Sequence, residues 1–171
     1  VTDCLAVSGG WNPNLHLTCH HRGIPKWNEK IASFIPDESN PPGMSVAGRA
    51  KGTMVLADAI IEGHNEGLAV ASDLGYKVEE LDPAETQTVS YSVTANWGVP
   101  SGKNRAWNDL QNDVTAKDIK LANQEGFKSV EHVKRYTTLG MATDQGKTAN
   151  VLGIGIMADN MGQTMEETGT T

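Results

Sequence analysis

The stretch Val130-Glu131-His132-Val133-Lys134-Arg135-Tyr136-Thr137-Thr138-Leu139-Gly140-Met141-Ala142-Thr143-Asp144-Gln145-Gly146-Lys147-Thr148 decides how the C-terminal half folds. Ser129 stands before it, and Ser is a good helix N-cap, with His132 in the first turn. The helix it starts must end before Gly140. Gly140 to Asn150 then reads as a polar loop, and a further helix is predicted over Val151 to Gly162, although Gly153 and Gly155 interrupt its apolar run. The loop combines two cations, several hydroxyls and two glycines ahead of a helix, which suits a phosphate. A polar loop that satisfies itself is the plain alternative. Upstream, Thr115 with Asp118 is a second helix start, running to Gln124 or Glu125 and stopped by Gly126. Two short helices separated by a glycine make a helical hairpin.

The N-terminal half reads differently. Asp3 to Ser8 is a short apolar run closed by Gly9-Gly10, a strand running into a glycine turn that Trp11-Asn12-Pro13-Asn14 continues. A strand end without side chains lets a flat cofactor approach closely, but it is also an ordinary turn. Further short strands are expected around Leu15–Cys19 and Ile31–Ile35, with residues 36–43 as an exposed loop. Met44–Ala47 is a second apolar run. Gly48-Arg49-Ala50-Lys51-Gly52 follows it and precedes a helix over about Thr53 to Leu74. The free N–H groups and positive dipole end of a helix N-terminus favour an anion. The two glycines are four apart, however, so the full dinucleotide fingerprint is lacking and a glycine-rich connection fits as well. Gly63, Gly67 and Ala71 recur every four residues along that helix. Such a smooth face invites a closely packed backbone to offset the cost of helical glycine. Gly75 ends the helix. Residues 76–104 read as an irregular connector, with one possible strand at Thr88–Val93.

Composition narrows the function classes. Of 171 residues, 38% are hydrophobic and 20% charged, as expected of a globular chain. Fourteen Lys and Arg against twenty-one Asp and Glu give a net charge of -7, which argues against a nucleic-acid or anionic-membrane binder. No apolar run reaches the roughly 20 residues of a membrane helix. The two cysteines, Cys4 and Cys19, make no disulfide framework and suit a reducing cytoplasm. His16, Cys19, His20 and His21 invite a zinc reading, but no second pair at ligand spacing completes it, so no metal is expected. No Ser, His and acid set forms a triad, and no carboxylate pair is placed for acid–base work. The chain begins without Met in an apolar run, and is expected to be a piece of a longer polypeptide.

The stretch from Val130 to Thr148 closely resembles a signature segment of the alpha subunit of heterotetrameric sarcosine oxidase. Leu110 to Ile119 and Leu5-Ala6-Val7-Ser8-Gly9-Gly10-Trp11-Asn12-Pro13, with His16-Leu17-Thr18, resemble the same subunit. The resemblance implies an α/β fold over residues 1–75: the C-terminal part of an FAD/NAD dinucleotide-binding domain of the pyridine nucleotide-disulfide oxidoreductase type. Its last strand and helix would be Met44–Gly75. A connector at 76–104 would lead to a small all-α helical-hairpin module at 105–162, and residues 163–171 would be a linker toward a folate-binding domain beyond this sequence.

The module is similar to a [2Fe–2S] ferredoxin-like domain of related amine and proline dehydrogenases. Asp109, Gln111, Asp144 and Ala149 stand where that motif has cysteines, so no cluster is expected. As what the resemblance implies, Gly9, Gly10, Gly48, Thr53 and Val55 lie near NAD, a partial site. Arg135, Thr137, Thr138, Lys147 and Thr148 would hold the phosphate of an FMN at the interface with a beta subunit. FAD and tetrahydrofolate would lie elsewhere in a complex with beta, gamma and delta subunits, with no nucleic acid or membrane involved. The implied reaction is oxidative demethylation of sarcosine to glycine with tetrahydrofolate as one-carbon acceptor. The chain alone would then be inactive, with no catalytic residue of its own. Two other readings stand beside it: a non-catalytic subunit-docking module, and the alpha subunit of a related amine or opine oxidase, against which the missing cysteines argue.

Overall fold

The structure is a computed structural model that describes every residue except Val1, Thr2, Leu5, Val7, Ser8, Gly9, Glu38, Glu80, Leu81, Pro100–Lys103 and Thr171, and gives only the backbone of His21. The chain divides into two units, Val1–Val93 and Thr94–Thr171.

In the first unit the alternation around Trp27 and Phe34 makes a short antiparallel hairpin of β1 (Lys26–Asn28) and β2 (Ser33–Ile35). Trp27 pairs with Phe34 across the ladder, and their rings meet edge to face at 5.0 Å, the arrangement the ring quadrupoles favour. Ala32 takes φ +46° to close the turn. The expected strand at Ile31–Ile35 is therefore present in its last three residues. At Leu15–Cys19 the chain instead starts a 3-10 turn, Thr18–His21, because Thr18 folds back to donate both its N–H and its hydroxyl to the Leu15 carbonyl. Met44–Ala47 and Thr88–Val93 pair with no strand among the described residues, which corrects both expectations. Half of the expected strand at residues 3–8 lies outside the described residues, and its members Asp3, Cys4 and Ala6 join no ladder.

A 3-10 turn at Gly48–Ala50 leads to α1 (Leu56–Asp73), which Gly75 ends at φ +82° as expected. None of the eighteen residues of α1 is buried, and Leu56, Ile61 and Val70 are exposed. Nothing lies within 4 Å of a side chain built at Gly63 or Gly67, so no backbone packs on the small-residue stripe among the described residues. Phe34, Met54 and Pro13 are the buried apolar residues described in this unit.

The second unit is built as the caps predict, with one addition. A hairpin of β3 (Trp107–Asp109) and β4 (Val114–Thr115), bulged at Asn108, precedes the helices, so the module is not all-α. Val114 and Thr115 are too few to be read as a strand from sequence. Then come α2 (Ala116–Gln124), α3 (Val130–Thr137) and α4 (Asn150–Met161). The Asp118 carboxylate accepts from the Thr115 N–H at 2.8 Å and its hydroxyl at 2.6 Å, and Ser129 Oγ accepts from the His132 N–H. Val114, Ile119, Ala122, Val133, Leu139, Ala149 and Met157 close one core.

Two glycines in α4 are explained by what lies on them. A side chain at Gly155 would strike the Trp97 indole, and one at Gly153 would meet Leu139. Trp97, expected in the connector, thus packs with this unit. The tail is also more ordered than a linker: α5 (Met165–Thr168) is capped by Thr164 and Glu167 and buries Met165.

Candidate functional site

The first unit brings together two sequence candidates that are far apart along the chain. Trp11, Asn12, Pro13 and Asn14 face Arg49 and Ala50 across an open pocket of about 460 Å³. Both walls rest on β2. Ser33 Oγ donates to Asn12 Oδ1 at 3.1 Å, and Gly52, at φ +102°, lies so close to Ile35 that a Cβ there would collide with it. Only glycine satisfies that backbone angle and that approach together. Gly10 takes φ +88°, beside the pocket wall in sequence, while Gly9 lies outside the described residues.

The donors of the glycine turn are already engaged. Glu62, reaching from α1, accepts from the Gly48 N–H at 2.9 Å, and both its oxygens lie 2.8 Å from the Thr53 hydroxyl. Lys51 stands 3.8 Å away as a weak counter-ion. The carboxylate thus fills the anion position that the sequence assigned to an external group. Sequence reading did not single out Glu62, because fourteen residues separate it from Gly48 and no spacing motif links them. Val55 is the extended residue just before α1 and supplies no side-chain cap.

In the second unit the hairpin tip and the 138–150 loop are stitched into one surface. Asp109, 2% exposed, accepts from the N–H groups of Gln111 and Asn112 with one oxygen and from the Gly140 N–H at 2.9 Å with the other. Thr143 donates to Gln111 Oε1 at 2.8 Å, and Asn112 Nδ2 donates to the Thr138 carbonyl. Asp144 accepts from the Thr148 hydroxyl at 2.6 Å and from the Gly146 N–H. The Thr148 hydroxyl, followed by the N–H groups of Gly146 and Thr148, holds the Asp144 carboxyl below its usual range. Ala149 is buried, and the Asn150 amide fills the space beside Gly140 and Gly146.

The five residues expected at a flavin phosphate are therefore in different states. Arg135 pairs with Glu131 at 2.7 Å on the surface of α3, and Thr137 turns inward to donate to the Val133 carbonyl. Thr138 sits at φ +64° with its hydroxyl on the Thr137 carbonyl, and Thr148 is held by Asp144. Lys147 is exposed, with no carboxylate partner among the described residues. Leu110 and Met141, 77% and 56% exposed, flank the same surface. Among the described residues no three His, Cys, Asp or Glu side chains converge as metal ligands, and no helix is long and apolar enough to cross a membrane.

A family model described as the sarcosine oxidase A3 domain matches residues 103–171. The chain is 42% identical over 173 residues to the sarcosine oxidase subunit alpha of Rhizobium meliloti (strain 1021), an alignment covering 100% of this chain and 17% of that protein. It is 36% identical over 177 residues to the same subunit of Corynebacterium sp. (strain P-1), covering 99% of this chain and 18% of that one. The chain therefore spans less than a fifth of the length of these relatives. Among solved structures, the crystal structure of L-proline dehydrogenase from P. horikoshii matches with a TM-score of 0.71 at 21% identity, over 94% of this chain and 34% of that one. At that identity the likeness shows a shared fold.

Proposed function

Because the chain belongs to the sarcosine oxidase alpha-subunit family, we propose that it works as a segment of such a subunit in the oxidative demethylation of sarcosine to glycine. The observation that carries this reading is identity of 42% along the whole chain, across both units. Tetrahydrofolate as one-carbon acceptor and FAD are bound outside this segment, and no residue here is catalytic. The working complex contains beta, gamma and delta subunits and is cytoplasmic.

The first unit supplies part of an NAD site around Gly9, Gly10, Gly48, Thr53 and Val55. The Trp11–Asn14 and Arg49–Ala50 pocket supports it, being of a size that suits part of a dinucleotide and carrying an indole and a guanidinium. The second unit is the scaffold of a ferredoxin-like [2Fe–2S] module in which Asp109, Gln111 and Asp144 have replaced thiolates with hydrogen bonds. Its outer surface faces the beta subunit and an interfacial FMN. Within it Lys147 is the residue free to meet the flavin phosphate, while Arg135, Thr137, Thr138 and Thr148 shape the loop around it. The chemistry FMN supplies there is electron transfer. Lys147→Ala in the assembled complex lowers the FMN extracted per complex, measured by chromatography after acid release. Full retention of FMN sinks the assignment.

A second reading, a subunit-docking module without a cofactor role, is favoured by the exposed Leu110 and Met141 on the same surface. It predicts that the beta subunit binds equally well with and without FMN.

A further inference from the structure

We propose that the pocket between Trp11–Asn14 and Arg49–Ala50 binds a nucleotide through its phosphate, with the Arg49 guanidinium rather than the Gly48–Gly52 turn as the anion-binding group. The inference rests on the nucleotide reading of the first unit and deepens it. Three observations carry it.

The turn cannot serve an anion as it stands. Its Gly48 N–H and the Thr53 hydroxyl are bound to Glu62, whose negative charge repels a phosphate at that position. Arg49 is in the opposite state. It has no ion-pair partner among the described residues, while Lys51 and Arg135 both have carboxylates. Its contacts orient it without neutralising it: one Nη lies 2.9 Å from Met54 Sδ, and the guanidinium sits 5.7 Å from the centre of the Tyr91 ring. A positioned, uncompensated guanidinium binds phosphate in bidentate fashion.

The third observation is the opposite wall. Trp11 is 81% exposed and lines the pocket, so its indole is open to stack with a heterocyclic base. The Asn12 and Asn14 amides beside it supply donors and acceptors for ribose or base edges. The hydrogen bond from Ser33 to Asn12 and the seating of Gly52 on Ile35 fix both walls to one hairpin, so the site is set before a ligand arrives. Glu62 is then a positioning residue. By holding the Gly48 N–H it fixes where the next residue, Arg49, leaves the turn.

The test is calorimetric titration of the intact alpha subunit in its complex with AMP, adenosine and NAD, for the wild type, Arg49→Ala and Arg49→Lys. Circular dichroism checks that the variants stay folded. Arg49→Ala is expected to weaken AMP about tenfold or more, the worth of a charge-assisted hydrogen bond, and to leave adenosine unchanged. Arg49→Lys should recover part of the loss. Trp11→Ala should weaken AMP and adenosine alike. If Arg49→Ala binds AMP and NAD as the wild type does, the pocket assignment is overturned while the NAD reading stands. If AMP binds in an Arg49-dependent way but NAD does not compete with it, the pocket stands and the NAD reading falls. Binding of neither AMP nor NAD by the wild type overturns both.

Discussion

Helix α1 runs for eighteen residues and buries none of them, while α4 runs for twelve and buries five. Both carry apolar side chains and internal glycines, yet α1 meets chiefly the Gly48–Ala50 turn, to which its own Glu62 reaches back, whereas α4 packs against α2 and α5 and is covered by Leu139 and Trp97. The difference teaches that a helical pattern specifies the helix and not its cover. In α4 the glycines are explained by neighbours, since Leu139 lies on Gly153 and Trp97 on Gly155. In α1 the glycines have no described neighbour. The second unit closes a core on itself. The first, beside its Trp27–Phe34 contact and the buried Met54, is tied together by polar pins: Ser33 to Asn12, and Glu62 to Gly48 and Thr53.

The largest effect that tests this contrast is a matched pair of truncations. Ile119→Ala, at a fully buried position, should cost about 2–5 kcal/mol in urea unfolding, and Ile61→Ala on exposed α1 about 0.5 kcal/mol or less. Equal losses would break the comparison, because they would mean that α1 is covered in solution. A middle-sized effect is expected at the stitch between the hairpin and the loop. Asp109→Ala leaves the buried Gly140 N–H without its acceptor and should cost about 1–3 kcal/mol. Hydrogen exchange should show Gly140 losing protection while the α1 amides are unmoved. Exchange unchanged at Gly140 would mean that the stitch does not hold the loop.

The smallest effect is pH-dependent. The Thr115 hydroxyl, followed by its N–H, lowers the Asp118 carboxyl below its ordinary value. A depressed folded pKa contributes stability that is present above the unfolded value of about 3.9 and is lost as pH falls through the folded pKa. Thr115→Ala should therefore destabilise by about 1 kcal/mol at pH 7. The gap from wild type should narrow as the pH is lowered below about 4. A gap constant with pH would show that the hydroxyl acts without the carboxylate's charge.

The helices of both units were legible because their signals are local. Ser129, Thr115, Gly75, Gly126 and Gly162 lie within a few residues of the ends they set, and each end falls where the sequence puts it or within a few residues. The strands were less so. β3 and β4 are two or three residues long and exist only because Trp107 finds Thr115 across a tight turn. The runs at Met44–Ala47 and Thr88–Val93 have strand composition but no partner among the described residues, and an apolar run without a ladder is not a strand.

The candidate sites divide in the same way. The sequence named both glycine-rich loops and both groups of cations, since glycine, hydroxyl and positive charge are visible as composition. It could not say which donors were free. Glu62 on Gly48, Asp109 on Gly140 and Arg49 facing Trp11 join residues 14 to 38 positions apart. By itself, then, the sequence determined where helices begin and end, which residue types could meet an anion and which family the chain resembles. Only the tertiary structure decided that the first loop's donors are taken by a carboxylate while Arg49 is left open. Capping and turn geometry are fixed by neighbours along the chain, whereas the pairing of a charge depends on which distant segment folds back against it.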